Sequence, residues 1–429
     1  MPERNITSHE RQLIQQAHQL LPGGSTGNVY NDVIVGRGSG SHVWDVSGNE
    51  YVDYLLGSGP LVLGHAHPEV VQAVQRQLEN GTTFFATHES AIALAAEIVA
   101  ASPCAERIRY TSSGTEATEY ALRAARAFRR KDLVLKFEGG FHGMNAYSLM
   151  SQAPSNPPPF PQADCDSAGV PRVLCEEVLI APFNDTETTT AMIERHQDQL
   201  AAVIMEPFQR VICPRPGFLE SVRSVTEQYG IPLIFDEIVT GFRFAYGGAQ
   251  EYYGVTPDLC TLGKILAGGF PLAAVAGRAD MMRGFEPGAS KDGSFMPQIG
   301  TLNGNPIAAV AGLATLEVLR RDGTYERLNE MGRQLMDALR EILSESGMAA
   351  QVVGEPSVFD VVFTDQEIVD FRSYATGDKG LLKRFNELLI SHGIFRADTK
   401  FYMSLAHTPE DIQHTIKIFE SVISQLASE

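Results

Sequence analysis

Three short apolar runs in the middle of the chain each end at a charged residue. They are residues 201–205 before Glu206, residues 232–235 before Asp236, and residues 259–263 before Lys264. Apolar runs of this length are typical of strands that are buried on both faces, as the strands of a parallel sheet are. The stretches between them are long enough for the helices that connect parallel strands. The sequence therefore predicts an α/β fold with a mainly parallel sheet, whose charged strand ends meet at one edge.

Lys264 and Asp236 have the most specific chemistry of these strand-end residues. A lysine loses its proton readily when it is desolvated, and it can then form a Schiff base with a cofactor aldehyde. An aspartate can pair with the protonated ring nitrogen of pyridoxal phosphate (PLP) and keep the ring an electron sink. A lone lysine after a strand also fits an ordinary surface position. The pair, however, predicts a PLP site with Lys264 as its catalytic residue.

A loop of small hydroxyl residues and glycine follows an earlier predicted strand, residues 107–110. The loop is Thr111-Ser112-Ser113-Gly114-Thr115-Glu116, and a helical pattern follows it. Free N–H groups at the start of a helix, together with the hydroxyls, bind phosphate. The loop lacks the Gly-Lys-[Ser/Thr] of a Walker A motif, and by itself it also fits any capped helix. Gly36, Gly38 and Gly40 lack the dinucleotide spacing and are interpreted as a turn, which argues against a nicotinamide oxidoreductase.

A second glycine-rich loop follows the predicted strand 133–137. Its sequence, Glu138-Gly139-Gly140-Phe141-His142-Gly143, would let Phe141 and His142 approach a ligand closely. An ordinary connecting loop explains the same residues equally well. His65 and His67 are two residues apart, but no third ligand is near them in the sequence, so no metal site is predicted.

Charge and cysteine usage exclude several classes of partner. The net charge is −18, which opposes binding to nucleic acids and to anionic membrane surfaces. The five cysteines are scattered and form no C-x-x-C pair, which indicates reduced thiols in the cytoplasm. Residues 1–20 lack the apolar core of a signal peptide, and no apolar run is long enough to span a membrane.

The pattern of elements changes along the chain and predicts three segments. Residues 1–60 form an N-terminal helix and hairpin segment that packs with a small domain. Residues 61–320 form the large PLP-binding domain that holds the parallel sheet. Residues 321–429 form the small C-terminal α+β domain, in which Thr408-Pro409 begins the last helix.

Taken together, the motifs resemble those of class III PLP-dependent aminotransferases of fold type I. Within that class the chain is similar to glutamate-1-semialdehyde 2,1-aminomutases and to related amino-acid aminotransferases, over nearly its whole length. The matching motifs include Pro22-Gly23-Gly24, Gly64-His65-Ala66-His67-Pro68, Ser113-Gly114-Thr115-Glu116-Ala117, Phe137-Glu138-Gly139-Gly140-Phe141-His142-Gly143, Phe235-Asp236-Glu237, Thr261-Leu262-Gly263-Lys264 and Gly300-Thr301-Leu302-Asn303-Gly304.

The resemblance implies a role for each matching residue. Lys264 would be the Schiff-base lysine and proton shuttle, and Asp236 the partner of the ring nitrogen. Thr301 would contact the phosphate of a neighbouring subunit, so that a homodimer shares its sites. The other implied cofactor contacts are Ser113, Gly114 and Thr115 at the phosphate, Phe141 stacked on the ring where the family usually has tyrosine, Ile238 under the ring, and Glu206 near the ring hydroxyl, with His142 beside them.

The chain departs from the aminomutases at the positions that would hold the substrate. The resemblance implies an arginine, a tryptophan and a gating glutamate there, and this chain has Tyr30, Ser58 and Thr399 instead. Lys400 or Arg396 could replace the lost carboxylate clamp. We therefore predict an aminotransferase that acts between a small-molecule amino donor and an oxo acceptor. The alternatives are the aminomutase itself and a racemase or epimerase on the same fold.

Overall fold

The computed structural model describes residues 4–29 and 32–429, which form helices and three sheets. In chain order the strands are β1 Val35–Ser39, β2 His42–Asp45, β3 Glu50–Asp53, β4 Arg107–Thr111, β5 Leu133–Phe137, β6 Val178–Ala181, β7 Leu200–Met205, β8 Leu233–Glu237, β9 Leu259–Leu262, β10 Ala273–Gly277, β11 Gln351–Glu355, β12 Val358–Val362, β13 Ile394–Phe395 and β14 Phe401–Tyr402. The α-helices are α1 Ser8–Leu20, α2 Pro68–Leu78, α3 Glu89–Ala101, α4 Gly114–Arg129, α5 Thr186–His196, α6 Phe218–Gln228, α7 Gly248–Tyr253, α8 Ala279–Met282, α9 Pro306–Leu319, α10 Thr324–Ser346, α11 Phe371–Tyr374, α12 Lys379–Ser391 and α13 Pro409–Leu426.

The chain forms two compact units. The first consists of Met1–Pro68, Gly323–Gln366 and Thr376–Glu429. The second consists of Glu69–Asp322 and the short segment Glu367–Ala375. The division into three functional segments that the sequence suggested stays a prediction.

The second unit is built around a seven-stranded sheet with the order β4-β10-β9-β8-β7-β5-β6. Strands β6, β5, β7, β8 and β9 run parallel to one another, while β10 is antiparallel to both β9 and β4. Every residue of β7, β8 and β9 is buried, which explains their continuous apolar composition. The predicted α/β fold with a mainly parallel sheet is confirmed.

Helix α4 packs on this sheet through small residues. Ala117, Ala121 and Ala124 are buried on one face, and alanine lets a helix approach a sheet closely. Ser113 caps the helix in a reciprocal capping box with Glu116, an arrangement that stabilises a helix by about 1 kcal/mol. The cap places the start of α4 directly after β4, at the polar edge of the sheet.

The first unit contains the other two sheets. One has the order β1-β2-β3-β13, and the other has the order β11-β12-β14. The rings of Phe359 and Phe401 stack 5.2 Å apart in its core. Helix α13 begins at a capping box formed by Thr408 and Asp411, as the sequence predicts.

The interpretation of Gly36, Gly38 and Gly40 as a turn is wrong for the first two residues. Both lie in β1, which pairs with β2. The reason is packing: a Cβ at Gly38 would lie 2.6 Å from the ring of His65, so only glycine leaves room for that ring. His65 itself bonds to Asp53 at 2.6 Å.

Three further observations concern the described part of the chain as a whole. None of its helices combines the length and the apolar character needed to cross a membrane. Within residues 4–29 and 32–429, His, Cys, Asp and Glu side chains form no group of three that could hold a metal ion. All five cysteines are free thiols.

Candidate active site

Asp236 lies at the carboxyl end of β8, where three hydrogen bonds hold its carboxylate. Oδ1 accepts the hydroxyl of Thr261 at 2.9 Å and the N–H of Ile238 at 3.1 Å. Oδ2 accepts the Nδ1–H of His142 at 2.8 Å. Asp236 and His142 are both buried, so these donors fix the direction of a charge in the interior. A carboxylate prepared in this way can pair with a cationic ring nitrogen.

Lys264 follows β9 and begins a short 3₁₀ helix, Lys264–Ala267, in a strained conformation. Its φ is +47°, in the left-handed region that residues other than glycine rarely adopt. Strain of this kind costs about 1–3 kcal/mol and is found mainly at functional positions. The side chain is half-buried.

Ile238 brings the loop after β4 and the lysine segment together. A methyl group added at Gly114 would lie 3.1 Å from Cδ1 of Ile238, and one added at Gly263 would lie 2.9 Å from the same atom. The Ile238 side chain therefore packs against both glycines. Because Gly263 directly precedes Lys264, this contact joins three of the predicted site segments.

The loop between β4 and α4 exposes the first turn of the helix. The hydroxyl of Ser113 accepts the N–H of Glu116 at 3.3 Å, so it serves as the helix cap. The N–H groups of Gly114 and Thr115 lie where no intrahelical acceptor exists. Thr115 Oγ1 accepts the N–H of Met144 at 3.1 Å, which ties this loop to the one after β5. Free first-turn N–H groups and the helix dipole can bind a phosphate.

The ends of β5 and β7 are joined by two hydrogen bonds. The Glu206 carboxylate accepts the N–H of Phe141 at 2.9 Å, and Gln209 Nε2 donates to the carbonyl of Glu138 at 2.8 Å. The guanidinium of Arg210 lies 5.3 Å from the centre of the Phe141 ring. The strand ends thus place Phe141, Glu206 and a cation side by side.

The segment Glu367–Ala375 closes over the loop after β5. Arg372 binds the Glu138 carboxylate through two hydrogen bonds, of 2.8 and 3.0 Å, and this contact raises the pKa of Arg372. Phe371 occupies the space where Gly139 has no side chain, since a Cβ there would lie 2.5 Å from its ring. The glycine at position 139 is therefore explained by packing as well as by its φ of +82°.

Thr301 lies in a loop linked to the one after β4 by the bond from Ser112 Oγ to Asn303 Oδ1 at 3.0 Å. It is exposed and lines an open cavity of about 440 Å³. The lining of that cavity includes neither Lys264 nor Asp236.

Lys136 is a second lysine on the sheet. It is buried on β5, and burial lowers its pKa to about 7. Its Nζ donates to the carbonyls of Ser148 at 2.9 Å and Met150 at 2.6 Å. These bonds commit Lys136 to holding the chain between Ser148 and Met150, whereas Lys264 lies beyond the end of its strand.

The predicted substrate residues belong to a different part of the chain. Tyr30 lies outside the described residues. Ser58, Thr399 and Lys400 belong to the first unit, where Ser58 is exposed and Lys400 is buried with a φ of +74°. Arg396 cannot act as a replacement clamp, because it is fully buried in an ion pair with Asp360 at 2.7 Å.

Three residues of the site were not predicted. Thr261 could have been noticed as a polar residue inside an apolar strand, whose side chain points toward the neighbouring Asp236. Gln209 lies just after Glu206, within reach of the same edge. Arg372 gives no local signal, because it comes from a segment more than 200 positions after Glu138 in the chain.

Known proteins of one enzyme family match this chain over nearly its whole length. The family profile of class-III aminotransferases matches residues 25–423. A glutamate-1-semialdehyde 2,1-aminomutase of Thermodesulfovibrio yellowstonii is 38% identical over 433 aligned residues, which cover 98% of this chain and 100% of that protein. An omega-transaminase of Sphaerobacter thermophilus superimposes with a TM-score of 0.93 at 35% identity, covering 99% of both chains. A transaminase with PLP bound gives 0.90 at 30% identity, again over 99% of both chains.

Proposed function

We propose that this chain, which belongs to the class-III aminotransferase family, moves an amino group between an amino acid or related amine and an oxo acid. The enzyme depends on PLP, as its family does. The observation that carries the proposal is the Asp236 carboxylate, held by three donors beside the segment that ends in Lys264. The residues present fit the cofactor, because its phosphate, its ring nitrogen and its aldehyde each have a matching group among them.

Each of these groups has a separate task. The first-turn N–H groups of Gly114 and Thr115 would hold the phosphate. Asp236 would keep the ring nitrogen protonated, because a nearby opposite charge raises the pKa of that nitrogen. PLP, when bound, supplies the electron sink for negative charge at the substrate carbon. Nζ of Lys264 would take the proton from that carbon and deliver it to the aldehyde carbon of the cofactor, because returning it to the same carbon would leave the amino group on the donor. Phe141 and Ile238 would exclude water from the two faces of the ring.

Reductive labelling tests the assignment of Lys264. Borohydride treatment of the PLP-loaded protein, followed by peptide mapping, should place a pyridoxyl group on Lys264. The Lys264→Ala protein is the control and should carry none. A pyridoxyl group on Lys136 instead would remove the central assignment.

An exposed apolar surface around Thr301 supports a homodimer. Phe85 is 70% exposed, Ile299 is 81% exposed and Leu302 is 49% exposed, and all three are close in sequence to the lining of the cavity at Thr301 or belong to it. Large exposed apolar patches mark interaction surfaces. We propose that a second copy of the chain covers this apolar surface. Thr301 would then reach the cofactor phosphate bound by that second copy.

Two measurements test the dimer. Phe85→Asp should lower the dimer fraction in sedimentation at micromolar concentration, while Val173→Asp, at another exposed apolar residue, should not. Mixing Lys264→Ala chains with Thr301→Val chains should restore part of the activity, because one of the two hybrid sites is then intact. A fully active monomer would contradict the proposal.

The aminomutase is the second candidate, because the curated relatives that match nearly the full chain carry that name. Tyr30, Ser58, Thr399 and Lys400 stay proposed substrate positions, and three of them differ from the residues that the aminomutases would place there. A hydroxyl donates one bond to a carboxylate, whereas arginine donates two with a full charge. We therefore favour transfer of the amino group to a separate oxo acceptor. The five free thiols favour a reducing compartment such as the cytoplasm for this reaction.

The deciding assay compares two reactions of the same preparation. One is conversion of glutamate-1-semialdehyde to 5-aminolevulinate, and the other is deamination of an amino-donor panel with pyruvate or 2-oxoglutarate. We expect the second to be faster. Rapid aminolevulinate formation without any transamination would establish the aminomutase instead, and inversion of a single enantiomer without an acceptor would establish a racemase.

A further inference from the structure

Arg210 occupies a turn position that normally takes glycine. Gln209 and Ile212 exchange both of their backbone hydrogen bonds, at 2.8 and 3.1 Å, so Arg210 and Val211 are the two central residues of a tight turn. Arg210 has a φ of +61°, whereas Val211 is not in the left-handed region. This is the pattern of a type II′ turn, whose first central residue is usually glycine. An arginine there strains the backbone, and such strain persists mainly where the side chain is used.

The turn is fixed rigidly beside the candidate site. Val211 and Ile212 are buried, and the Gln209 side chain donates to the carbonyl of Glu138 at 2.8 Å. The turn starts just after Glu206, whose carboxylate accepts the Phe141 N–H. The Arg210 guanidinium, 5.3 Å from the Phe141 ring, is therefore held next to the aromatic ring proposed to stack on the cofactor.

The charge of Arg210 lacks an acidic partner within the described part of the chain. The side chain is half-buried, yet no described carboxylate lies within 4.0 Å of its guanidinium. Nearby arginines behave differently: Arg215 pairs with Glu367 at 2.8 Å, and Arg372 pairs with Glu138. A guanidinium offers two parallel N–H donors that match the geometry of a carboxylate.

We propose that Arg210 binds the carboxylate of the amino donor and of the oxo acid, and so determines specificity for acids over simple amines. The proposal rests on the proposed function and names the substrate class of the same site. It also supplies the carboxylate clamp that the sequence lacks at Tyr30. Strain in the turn is the cost of presenting a charged side chain where glycine would fit best.

The test compares matched donors in the PLP-loaded enzyme. Each amino acid is paired with an amine that lacks the carboxylate: alanine with ethylamine, phenylalanine with 2-phenylethylamine, and 3-amino-3-phenylpropanoate with 1-phenylethylamine. The ratio of kcat/KM for acid over amine is measured from the loss of absorbance near 420 nm. Arg210→Gln should lower this ratio by about 10- to 100-fold, mainly through KM, because a charge-assisted pair is lost. Arg215→Gln, an exposed arginine on the same stretch, should leave the ratio unchanged.

Two further measurements separate the possible outcomes. Arg210→Gly should raise the thermal midpoint while lowering the acid-to-amine ratio, since glycine relieves the turn but cannot bind the carboxylate. If the wild-type enzyme transfers amino groups and Arg210→Gln has an unchanged acid-to-amine ratio, the role of Arg210 is overturned while the proposed function stands. A larger dissociation constant for PLP in Arg210→Gln, with the acid-to-amine ratio unchanged, would show that the guanidinium binds the cofactor and would overturn the proposal. Wild-type protein that binds no PLP would contradict the proposed function itself.

Discussion

Asp236 and Asp360 are both buried carboxylates, but their surroundings differ. Asp236 lies at the end of β8 in the second unit and receives three hydrogen bonds shared between its two oxygens. Asp360 lies inside β12 in the first unit, where Oδ1 accepts from Arg396 at 2.7 Å. Its Oδ2 and the Nη1 of Arg396 have no hydrogen-bond partner among the described residues. The first carboxylate is oriented by donors from three residues at a strand end, and the second neutralises a charge of its own chain.

Position in a strand separates the two uses of a buried charge. A carboxylate at the end of a parallel strand meets the loops that follow neighbouring strands, so it can face a bound molecule. A carboxylate in the middle of a strand is surrounded by the core, so its partners are groups of the same chain, here the Arg396 side chain and the Val361 N–H. Removing either charge should therefore affect different properties of the molecule.

Asp360→Asn should have the strongest effect of these substitutions, and the effect should be on folding. The change leaves the Arg396 charge buried without its counter-charge, which costs about 3–5 kcal/mol of unfolding free energy. Urea-induced unfolding measures the loss, and Asp337→Asn, at the exposed pair with Arg340, is the control that should cost less than about 1 kcal/mol. If Asp360→Asn is as stable as wild type, the two carboxylates do not differ as described.

Asp236→Asn should show the opposite pattern. The neutral amide keeps the shape but cannot hold a ring nitrogen protonated, so kcat should fall roughly 100- to 1,000-fold, the loss typical of a preorganised charge contact. The thermal midpoint should stay near that of wild type. Steady-state kinetics together with thermal unfolding of the same preparation checks both halves. Activity within a few-fold of wild type would assign the ring-nitrogen role to another residue.

The two units also differ in their buried histidines, and the pH dependence of stability tests this difference. His142 of the second unit donates to Asp236. His407 of the first unit stacks on Tyr54 with 4.6 Å between the ring centres, and burial lowers the pKa of His407 to about 4. Between pH 6.5, the ordinary pKa of histidine, and pH 4, His407 is protonated in the unfolded chain but not in the folded chain. Stability should therefore fall as the pH drops from 6.5 toward 4, by roughly 3 kcal/mol.

The variant His407→Gln isolates this contribution. Its unfolding free energy should depend less on pH over that window than the wild-type value does. His42 acts in the opposite sense, because its bond to Asp411 raises its pKa and stabilises the fold at low pH. Equal pH dependence in wild type and His407→Gln would show that the buried histidine does not contribute.

A milder substitution tests one of the donors to Asp236. Thr261→Val keeps the shape of a fully buried side chain but removes its hydroxyl bond, so kcat should fall about tenfold. Thr226→Val is the matched control, because its buried hydroxyl bonds only to its own helix. A loss as large in the control as in Thr261→Val would indicate a packing effect.

Pattern and spacing were sufficient to predict the polar edge of the sheet. Strands that end at Glu206, Asp236 and Lys264 must meet there, because parallel strands share one carboxyl edge. The bonds around these residues could not be predicted in the same way. Whether His142 reaches Asp236, or Arg372 reaches Glu138, depends on how two distant loops pack, and sequence spacing carries no information about that.

The partner of Arg396 also could not be predicted from sequence spacing. In the sequence it is simply a cation close to Thr399, and that proximity suggested a substrate clamp. Its partner Asp360 lies 36 positions earlier, inside β12, whereas Arg396 follows the end of β13. A polar residue inside the apolar run of β12 was the available sign that some buried cation had to exist.

The left-handed backbone at Lys264 has an evolutionary consequence. Selection for folding alone would favour glycine or asparagine at this position, since both adopt a positive φ with less strain. Lysine persists there only while its amine is needed. Gene copies that have lost the chemistry but keep the fold should therefore replace this lysine early and gain stability as they do.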